Sequence, residues 1–293
     1  MTRILITGAS GQVGSSLAAH PWPAGWQVNA TDRSALDICA AAAVDRFIAD
    51  TRPDIVVNTA AYTAVDLAEQ NPELACQVNR DGPANLARAC DRVGAALIHL
   101  STDYVFAGTT DKPCTESVRP APQTAYGASK LAGEQAVAQL LERHVILRLS
   151  WVFSEYGNNF LKTMLRLAGE RSRLTVVDDQ HGCPTYAGHA AAAIARIAGR
   201  LQKNPHWGTF HYCDGPATTW FGFAREIVAA ARQSHNIKTT EITPVTTAEF
   251  PTPAPRPRYS VLDCSKIDVA YGIQPQPWVE GIATSLRALS AAG

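Results

Sequence analysis

The 293-residue sequence predicts an α/β fold, a doubly wound parallel sheet of the Rossmann type with a smaller, discontinuous C-terminal lobe. Three observations predict it. Short β-branched apolar runs alternate with stretches of helical composition over the first 150 or so residues, the runs are apolar almost throughout, and the first of them ends in a glycine-rich turn. Strands buried on both faces read this way when they pair in parallel beneath crossover helices.

The elements follow in order. "RILIT" (3–7) is a strand ending at Gly8, and "SSLAAH" (15–20) is helical in composition until Pro21. Next come "WQVNATD" (26–32) as strand, "AAAVDRFIADT" (41–51) as helix and "DIVVNTA" (54–60) as strand. "PELACQVNRDGPANLARACDRVG" (72–94) reads as one long helix, "ALIHLST" (96–102) as strand, the segment around Tyr126 as helix and "VILRLSWVF" (145–153) as strand. The Ala-rich "HAAAAIARIAGRLQ" (189–202) then leads into "GTFHYCD" (208–214), a strand expected to return to the sheet. "LTVVDDQHGCPTY", a helix from "WFGFAREIVAAARQ" and the segment "FPTPAPRPRY" break the alternation. Proline at every second position from Pro251 to Pro257 favours an extended loop. Residues 1–150 are therefore read as a dinucleotide-binding domain, and 151–293 mostly as the lobe forming the other wall of a cleft, where the substrate binds.

Composition narrows the partners. Lys plus Arg equals Asp plus Glu at 26 each, without runs of like charge, which disfavours nucleic acid and acidic membranes and leaves small molecules. No apolar run approaches the roughly 18 residues of a membrane span, and "MTRILITGAS" lacks the layout of a signal peptide, so the expected compartment is cytoplasmic. Seven dispersed cysteines (Cys39, Cys76, Cys90, Cys114, Cys183, Cys213, Cys264), with no C-x-x-C, read as reduced, mostly packed thiols. His181, Cys183 and His189, and separately His206 and His211, lack the spacing of a closed zinc site, and no metal is expected.

Chemistry enters with "TGASGQVG", which places Gly8, Gly11 and Gly14, with Gln12 and Val13 between them, directly after a strand and at the start of a helix. Such a turn lets backbone N–H groups and a helix N-terminus approach a pyrophosphate. Asp32, at the end of the second strand, suits hydrogen bonds to an adenosine ribose and favours NAD; Arg33 beside it suits a 2′-phosphate, so NADH and NADPH both stay open. Asp37 and Ile38 flank the adenine position, although Asp37 reads equally as a helix N-cap. After the strand at 54–60, the small Ala60 and Ala61 stand where a cofactor backbone would pass, followed by Tyr62 and Thr63. "HLSTDYVFAG" brings Ser101, Thr102, Asp103 and Tyr104 to a strand end, a pattern that on its own also caps turns. Tyr126 and Lys130 stand one helical turn apart on one face. Hydroxyl, phenol and ammonium together are the parts needed to protonate a carbonyl oxygen during hydride transfer, the ammonium stabilising the phenolate.

The glycine triplet, the YxxxK pair and the strand-end hydroxyl resemble the extended short-chain dehydrogenase/reductase superfamily. Within it, "PDIVVNTAAYTAVDLAE", "STDYVFAG", "YGASKLAGE", "RLSWVF", "GNNFLKTMLRLA", "DDQHGCPT" and "FPTPAPRPRYSVLD" are similar to the dTDP-4-dehydrorhamnose reductase family over nearly the whole length. The resemblance implies reduction of a dTDP-linked 4-keto-6-deoxy sugar, dTDP-4-dehydro-6-deoxy-L-mannose, to dTDP-L-rhamnose with NADPH or NADH, for rhamnose-containing surface polysaccharide. It implies that Tyr126 gives the proton to the 4-keto oxygen, that Lys130 binds the nicotinamide ribose and lowers the phenol pKa, and that Thr102 hydrogen-bonds the reacting oxygen. Asp103 and Trp151 would contact the sugar with Tyr104 close by, while Trp151 also reads as a buried aromatic at a strand end. Asn158, Asn159, Arg256 and Arg258 are further candidates for the diphosphate. The same triad serves nucleotide-sugar epimerases and 4-keto reductases of other stereochemistry, and the residues do not separate these. A non-catalytic NADP-binding regulatory subunit of the same fold has no need for an intact Thr102/Tyr126/Lys130 set. A homodimer is compatible with the resemblance. The magnesium-bridged form known in the family is not expected, because "GIATSLRALSAAG" has no acid after Glu280 and "YAGHAAAAIA" has none.

Overall fold

A computed structural model describes residues 1–292. The first half runs β1 (Thr2–Thr7), α1 (Gln12–Ala18), β2 (Trp26–Thr31), α2 (Ala41–Thr51), β3 (Ile55–Asn58), α3 (Val65–Gln70), α4 (Pro72–Cys76), α5 (Gly82–Val93), β4 (Ala96–Thr102), α6 (Ala125–Leu140) and β5 (His144–Leu149). The second half carries β6 (Val152–Phe153), α7 (Phe160–Glu170), β7 (Arg173–Val177), β8 (His181–Gly182), β9 (Thr185–Tyr186), α8 (Ala187–Leu201) and β10 (Gly208–His211). After these come β11 (Thr218–Thr219), α9 (Trp220–Ala231), β12 (Glu241–Val245), α10 (Ser265–Tyr271) and α11 (Trp278–Ala292).

Six strands form one sheet in the order β2-β1-β3-β4-β5-β10. Every pairing in it is parallel: Ile4 stands between Val28 and Ile55, and Ile98 between Val57 and Val145. Because side chains alternate across a strand, the two faces have different helical covers. Ile4, Ile6, Val57, Ile98 and Leu147 pack with Leu17 of α1 and Ile194 and Ile197 of α8. Leu5, Val56, Leu97 and Ile146 pack with Val44 and Ile48 of α2, Leu86 of α5 and Val137 of α6. The chain makes β2 on one side of β1 and then crosses to the other side to make β3, so a crevice opens above the carboxyl ends of β1 and β3. A separate apolar cluster of Phe153, Leu161, Phe223, Trp278 and Ile282 joins α7, α9 and α11. Among the described residues no helix is long and apolar enough to cross a membrane.

Two elements depart from the sequence reading. The helix expected over 72–94 contains a π-helical turn, Gln77–Asp81, between α4 and α5. Pro83 lacks an N–H and its ring crowds the carbonyl four residues back, which belongs to Asn79, and a wider turn relieves that clash. The strand expected over 145–153 is broken at Ser150–Trp151. Trp151 has φ 46°, in the left-handed region, and the chain then pairs with β9 instead of continuing in the sheet. Ser150 Oγ donates to the Cys183 carbonyl at 2.7 Å, and the Trp151 carbonyl accepts from Thr185 N at 3.2 Å, so both sides of the break are tied to the incoming loop.

The relieved Asn79 carbonyl abuts α6 at Gly133, where a β-carbon would overlap it. Gly133→Ala is therefore expected to lower stability by about 1–3 kcal/mol, measured as a lower urea midpoint at unchanged slope. Gly199→Ala in α8, where a β-carbon meets nothing within 4 Å, serves as the control and is expected to raise the midpoint slightly.

Candidate active site

The crevice holds a cavity of about 870 Å³, within the range of small-molecule sites. Its floor is the glycine turn between β1 and α1. Gly8 has φ +76°, and a β-carbon there would stand 2.5 Å from Ala60 N, so the turn sits directly on the chain leaving β3. At Gly14 a β-carbon would overlap the Gly8 carbonyl, which is why α1 can rest on the turn. Gly11 is the N-cap of α1, and a β-carbon on it would meet only the Gly8 carbonyl, at 3.3 Å. Gly11, Gln12, Val13 and Gly14 line the cavity, and the first N–H groups of the helix have no carbonyl partner of their own. Gln12 turns its amide across the cleft: Oε1 accepts from Ser154 Oγ at 3.0 Å and Asn159 Nδ2 at 2.9 Å. Asn159 is at the same time the N-cap of α7, its Oδ1 accepting from Lys162 N at 3.1 Å.

Beyond β2 the wall includes Arg33, Asp37 and Ile38 but not Asp32. Asp32 Oδ1 accepts from Ser34 Oγ at 2.7 Å, Ser34 N at 2.9 Å and Ala35 N at 3.2 Å, bonds that hold its carboxyl below the usual range. Arg33, exposed, lies with its Nε 3.3 Å from Asp37 Oδ2. Asp37 is not a helix N-cap: Ala40 holds that position for α2, and Asp37 Oδ1 instead accepts from Cys39 N at 2.9 Å. Ile38 is buried, its carbonyl accepting from Asn85 Nδ2 at 3.0 Å. Ala60, Ala61, Tyr62 and Thr63 form the facing wall. The Tyr62 backbone is gripped by buried Asn79, whose Oδ1 accepts from Tyr62 N at 2.8 Å and whose Nδ2 donates to Tyr62 O at 3.0 Å.

Helix α6 starts at Thr124, whose Oγ1 accepts from Gly127 N at 3.0 Å, and it leans against the Tyr104 carbonyl where Gly127 leaves room. That places Tyr126 and Lys130, both buried, on the cavity beside Thr102, Asp103 and Tyr104. The rings of Tyr104 and Tyr126 meet edge to face at 5.6 Å. Burial pushes the Tyr126 phenol up to about 12, against the pull of the Thr102 hydroxyl. Burial pushes the Lys130 ammonium down to about 8, against the carboxylate of Glu134. Lys130 Nζ donates to the Leu100 carbonyl at 2.6 Å, so in this structure it is engaged with the β4 backbone and not with the phenol. Asp103 Oδ1 accepts from Thr102 Oγ1 at 3.0 Å, while its buried Oδ2 has no partner. Burial pushes this carboxyl up to about 6, opposed by the Ser260 and Thr102 hydroxyls.

Three groups that sequence reasoning missed support this set. Glu134, one turn beyond Lys130, accepts from Ser101 Oγ at 2.5 Å and from Arg148 Nε and Nη2 at 2.8 and 2.6 Å, a buried bidentate ion pair. Its signal was the four-residue step after Lys130 in "KLAGE". Asn79 also donates to Ser129 Oγ at 3.0 Å, and that hydroxyl donates to the Tyr126 carbonyl at 2.7 Å; its signal was a lone amide four residues before a helical proline. Trp220 stacks on Trp151 with ring centroids 3.6 Å apart, and both line the cavity. Asn158 lines it as well. Arg256 does too, but its Nη2 donates to Asp66 Oδ2 at 2.7 Å, fastening the proline-rich loop to α3. Arg258 is not on the cavity wall. Among the described residues no group of three or more His, Cys, Asp or Glu side chains is placed to hold a metal ion. A buried phenol, hydroxyl and ammonium at the mouth of a glycine turn are equipped to give a proton to an oxygen that becomes negative.

Comparison with known proteins shows what the chain is similar to. A sequence model of the RmlD substrate binding domain matches residues 1–291. The chain is 42% identical over 282 residues to a dTDP-4-dehydrorhamnose reductase of Aggregatibacter actinomycetemcomitans, covering 95% of this chain and 96% of that one. It superposes on a dTDP-4-dehydrorhamnose reductase of Clostridium acetobutylicum with a TM-score of 0.92 at 38% identity, over 98% of this chain and 99% of the other. The enzyme of the same name from Bacillus anthracis, crystallised in complex with NADP, gives a TM-score of 0.89 at 39% identity, over 98% and 100% of the two chains.

The burial of the Asp103 carboxyl makes stability depend on pH. Its folded pKa of about 6 lies above the unfolded value near 4, so the folded state binds the extra proton, and stability present at low pH is lost as pH rises through 6. Asp103→Asn is expected to keep on the order of 2 kcal/mol that the parent loses between about pH 4 and 7. Urea midpoints of both proteins at the two pH values check this, and comparing them cancels the other carboxylates.

Proposed function

The chain belongs to the RmlD substrate binding domain family, and from that premise we propose that it is an NADPH-dependent reductase of dTDP-4-dehydrorhamnose, forming dTDP-L-rhamnose. The observation that carries the proposal is the convergence of Thr102, Tyr126 and Lys130, all buried, on a cavity that ends at the Gly8–Gly14 turn. Residues 1–150, with the later strand β10, hold the dinucleotide in this reading, and the stretches after 151 supply the sugar wall.

The residues fit a nicotinamide dinucleotide. Gly8 and Gly14 let the turn pack tightly on β3 and α1, and Gly11 carries no side chain to keep a diphosphate from the backbone N–H groups. Arg33, on the wall where Asp32 is not, suits an adenosine 2′-phosphate and supports NADPH over NADH. Lys130 would hold the nicotinamide ribose, and a reduced nicotinamide bound there would supply the hydride for C4 of the sugar. Tyr126 gives its proton to the 4-keto oxygen, and Thr102 donates a hydrogen bond to the same atom. A phenol pushed up to about 12 by burial keeps its proton at neutral pH and releases it only to an oxygen that is becoming an alkoxide, the behaviour required of an acid in the reducing direction. Asp103 and Trp151, with Tyr104 behind them, contact the sugar ring and fix which face is presented, and preorganisation carries most of the remaining rate.

Incubated with the dTDP-keto sugar and NADPH, the protein is expected to consume absorbance at the nicotinamide band and to yield dTDP-L-rhamnose by NMR, and Tyr126→Phe to reduce turnover by at least about a hundredfold with cofactor affinity within a few-fold. Full activity in Tyr126→Phe, or a product epimeric at C4, refutes the respective assignment. Arg33→Ala is expected to raise KM for NADPH about tenfold and to leave that for NADH nearly unchanged, as measured by initial rates with each cofactor.

A further inference from the structure

We infer that Trp220 is a positioning residue that fixes the Trp151 indole as a rigid wall for the sugar ring. The identity of the ligand in this inference rests on the reductase reading; the stack itself does not. Trp151 has a left-handed backbone, φ 46°, which a bulky aromatic residue adopts only where its surroundings enforce it. One short strand pair adjoins that backbone, and a second positions the ring that meets it. β6 pairs with β9, Val152 beside Thr185 and Phe153 beside Tyr186, and this sets the root of Trp151. β11 pairs with β8, Thr218 opposite Gly182 and Thr219 opposite His181, and this sets the root of Trp220, which opens α9 directly after its N-cap Thr219.

Gly182 belongs to both arrangements. It faces Thr218 across the β8–β11 pair, and a β-carbon on it would overlap the Trp151 indole. The indole thus lies over bare backbone and also stacks on Trp220, with centroids 3.6 Å apart and planes 8° from parallel. Aromatic pairs left to themselves prefer offset or edge-to-face packing, so near-complete overlap shows that the framework imposes this position. Trp220 is in turn backed by Phe160 at 4.6 Å, the first residue of α7. Both tryptophans line the cavity. Trp22 and Trp278 give their indole N–H groups to carbonyls, at 2.9 and 2.7 Å. Among the described residues Trp151 and Trp220 have no such acceptor. Flat apolar faces with unspent N–H donors, held still, match the alternating C–H faces and hydroxyls of a pyranose.

The test combines Trp220→Ala, Trp220→Phe and Gly182→Ala. Near-UV circular dichroism reads the indole pair without ligand, and steady-state kinetics reads the sugar site. Trp220→Ala is expected to lose the paired-indole signal and to raise KM for the nucleotide sugar about tenfold, with KM for the cofactor within about twofold. Trp220→Phe loses the paired signal too but restores most of the sugar KM. Gly182→Ala, which displaces Trp151 while leaving Trp220 in place, repeats the rise in sugar KM. An unchanged sugar KM in a folded Trp220→Ala protein overturns the inference, as does a cofactor KM that rises in parallel. A parent protein without turnover on the dTDP-keto sugar overturns the reductase reading, and this inference with it, whereas variants that fail only in the first two ways leave that reading intact.

Discussion

Two elements of the site meet at the side-chain amide of Asn79. It pairs with both backbone groups of Tyr62, on the wall beyond β3, and with the Ser129 hydroxyl, which holds the Tyr126 carbonyl in the first turn of α6. The wall assigned to the dinucleotide and the helix carrying the phenol are therefore placed relative to one another by a single buried side chain. An amide without partners there would cost the full desolvation of a polar group, so the three bonds fix one arrangement strongly. The surrounding backbone makes room for them, since Pro83 opens the helix into a π-turn and Gly133 lets α6 approach the Asn79 carbonyl.

Burial is the dominant electrostatic force on the groups above that frame, and it acts on each in the direction its charge dictates. Phenol and carboxyl are pushed toward their neutral forms at Tyr126 and Asp103, and the ammonium of Lys130 likewise. Lys130 remains a cation near neutral pH because the Leu100 carbonyl and the Glu134 carboxylate oppose its desolvation. Glu134 in turn tolerates burial through its two bonds to Arg148, and Arg148 lies 5.0 Å from the centre of the Phe106 ring with Nη1 3.3 Å from His211 Nε2. Such an ion pair adds little net stability against an apolar substitute, but loss of one partner alone costs about 3–5 kcal/mol. Its value here lies in the location and charge state of Lys130.

What the sequence disclosed was local. The glycine turn, the apolar strands and the Tyr126/Lys130 spacing each sit within a dozen residues, and the periodicities of strand and helix convert them directly into geometry. Contacts closing over long separations were invisible: Gln12 with Asn159, Glu134 with Arg148, Trp151 with Trp220, and Arg256 with Asp66. The break at Trp151 was hidden for the same reason, since "RLSWVF" has strand propensity throughout and only the loop at 182–185 draws it out of the sheet. Asp32 shows how local bonds escape such a reading: its position at a strand end suggests a ribose contact, and Ser34 and Ala35, two and three residues on, already hold its Oδ1.

Gln12 belongs to the glycine turn by sequence and to the α7 cap by bonding, its one amide oxygen shared by Ser154 and Asn159. A carbonyl oxygen that two donors already satisfy cannot reorient for one side of the cleft without releasing the other. Order gained at the turn is thereby transmitted to the α7 cap, and order gained at the cap returns to the turn. By thermodynamic reciprocity, whatever factor a ligand on one side of Gln12 exerts on the affinity for a ligand on the other is the factor it receives in return.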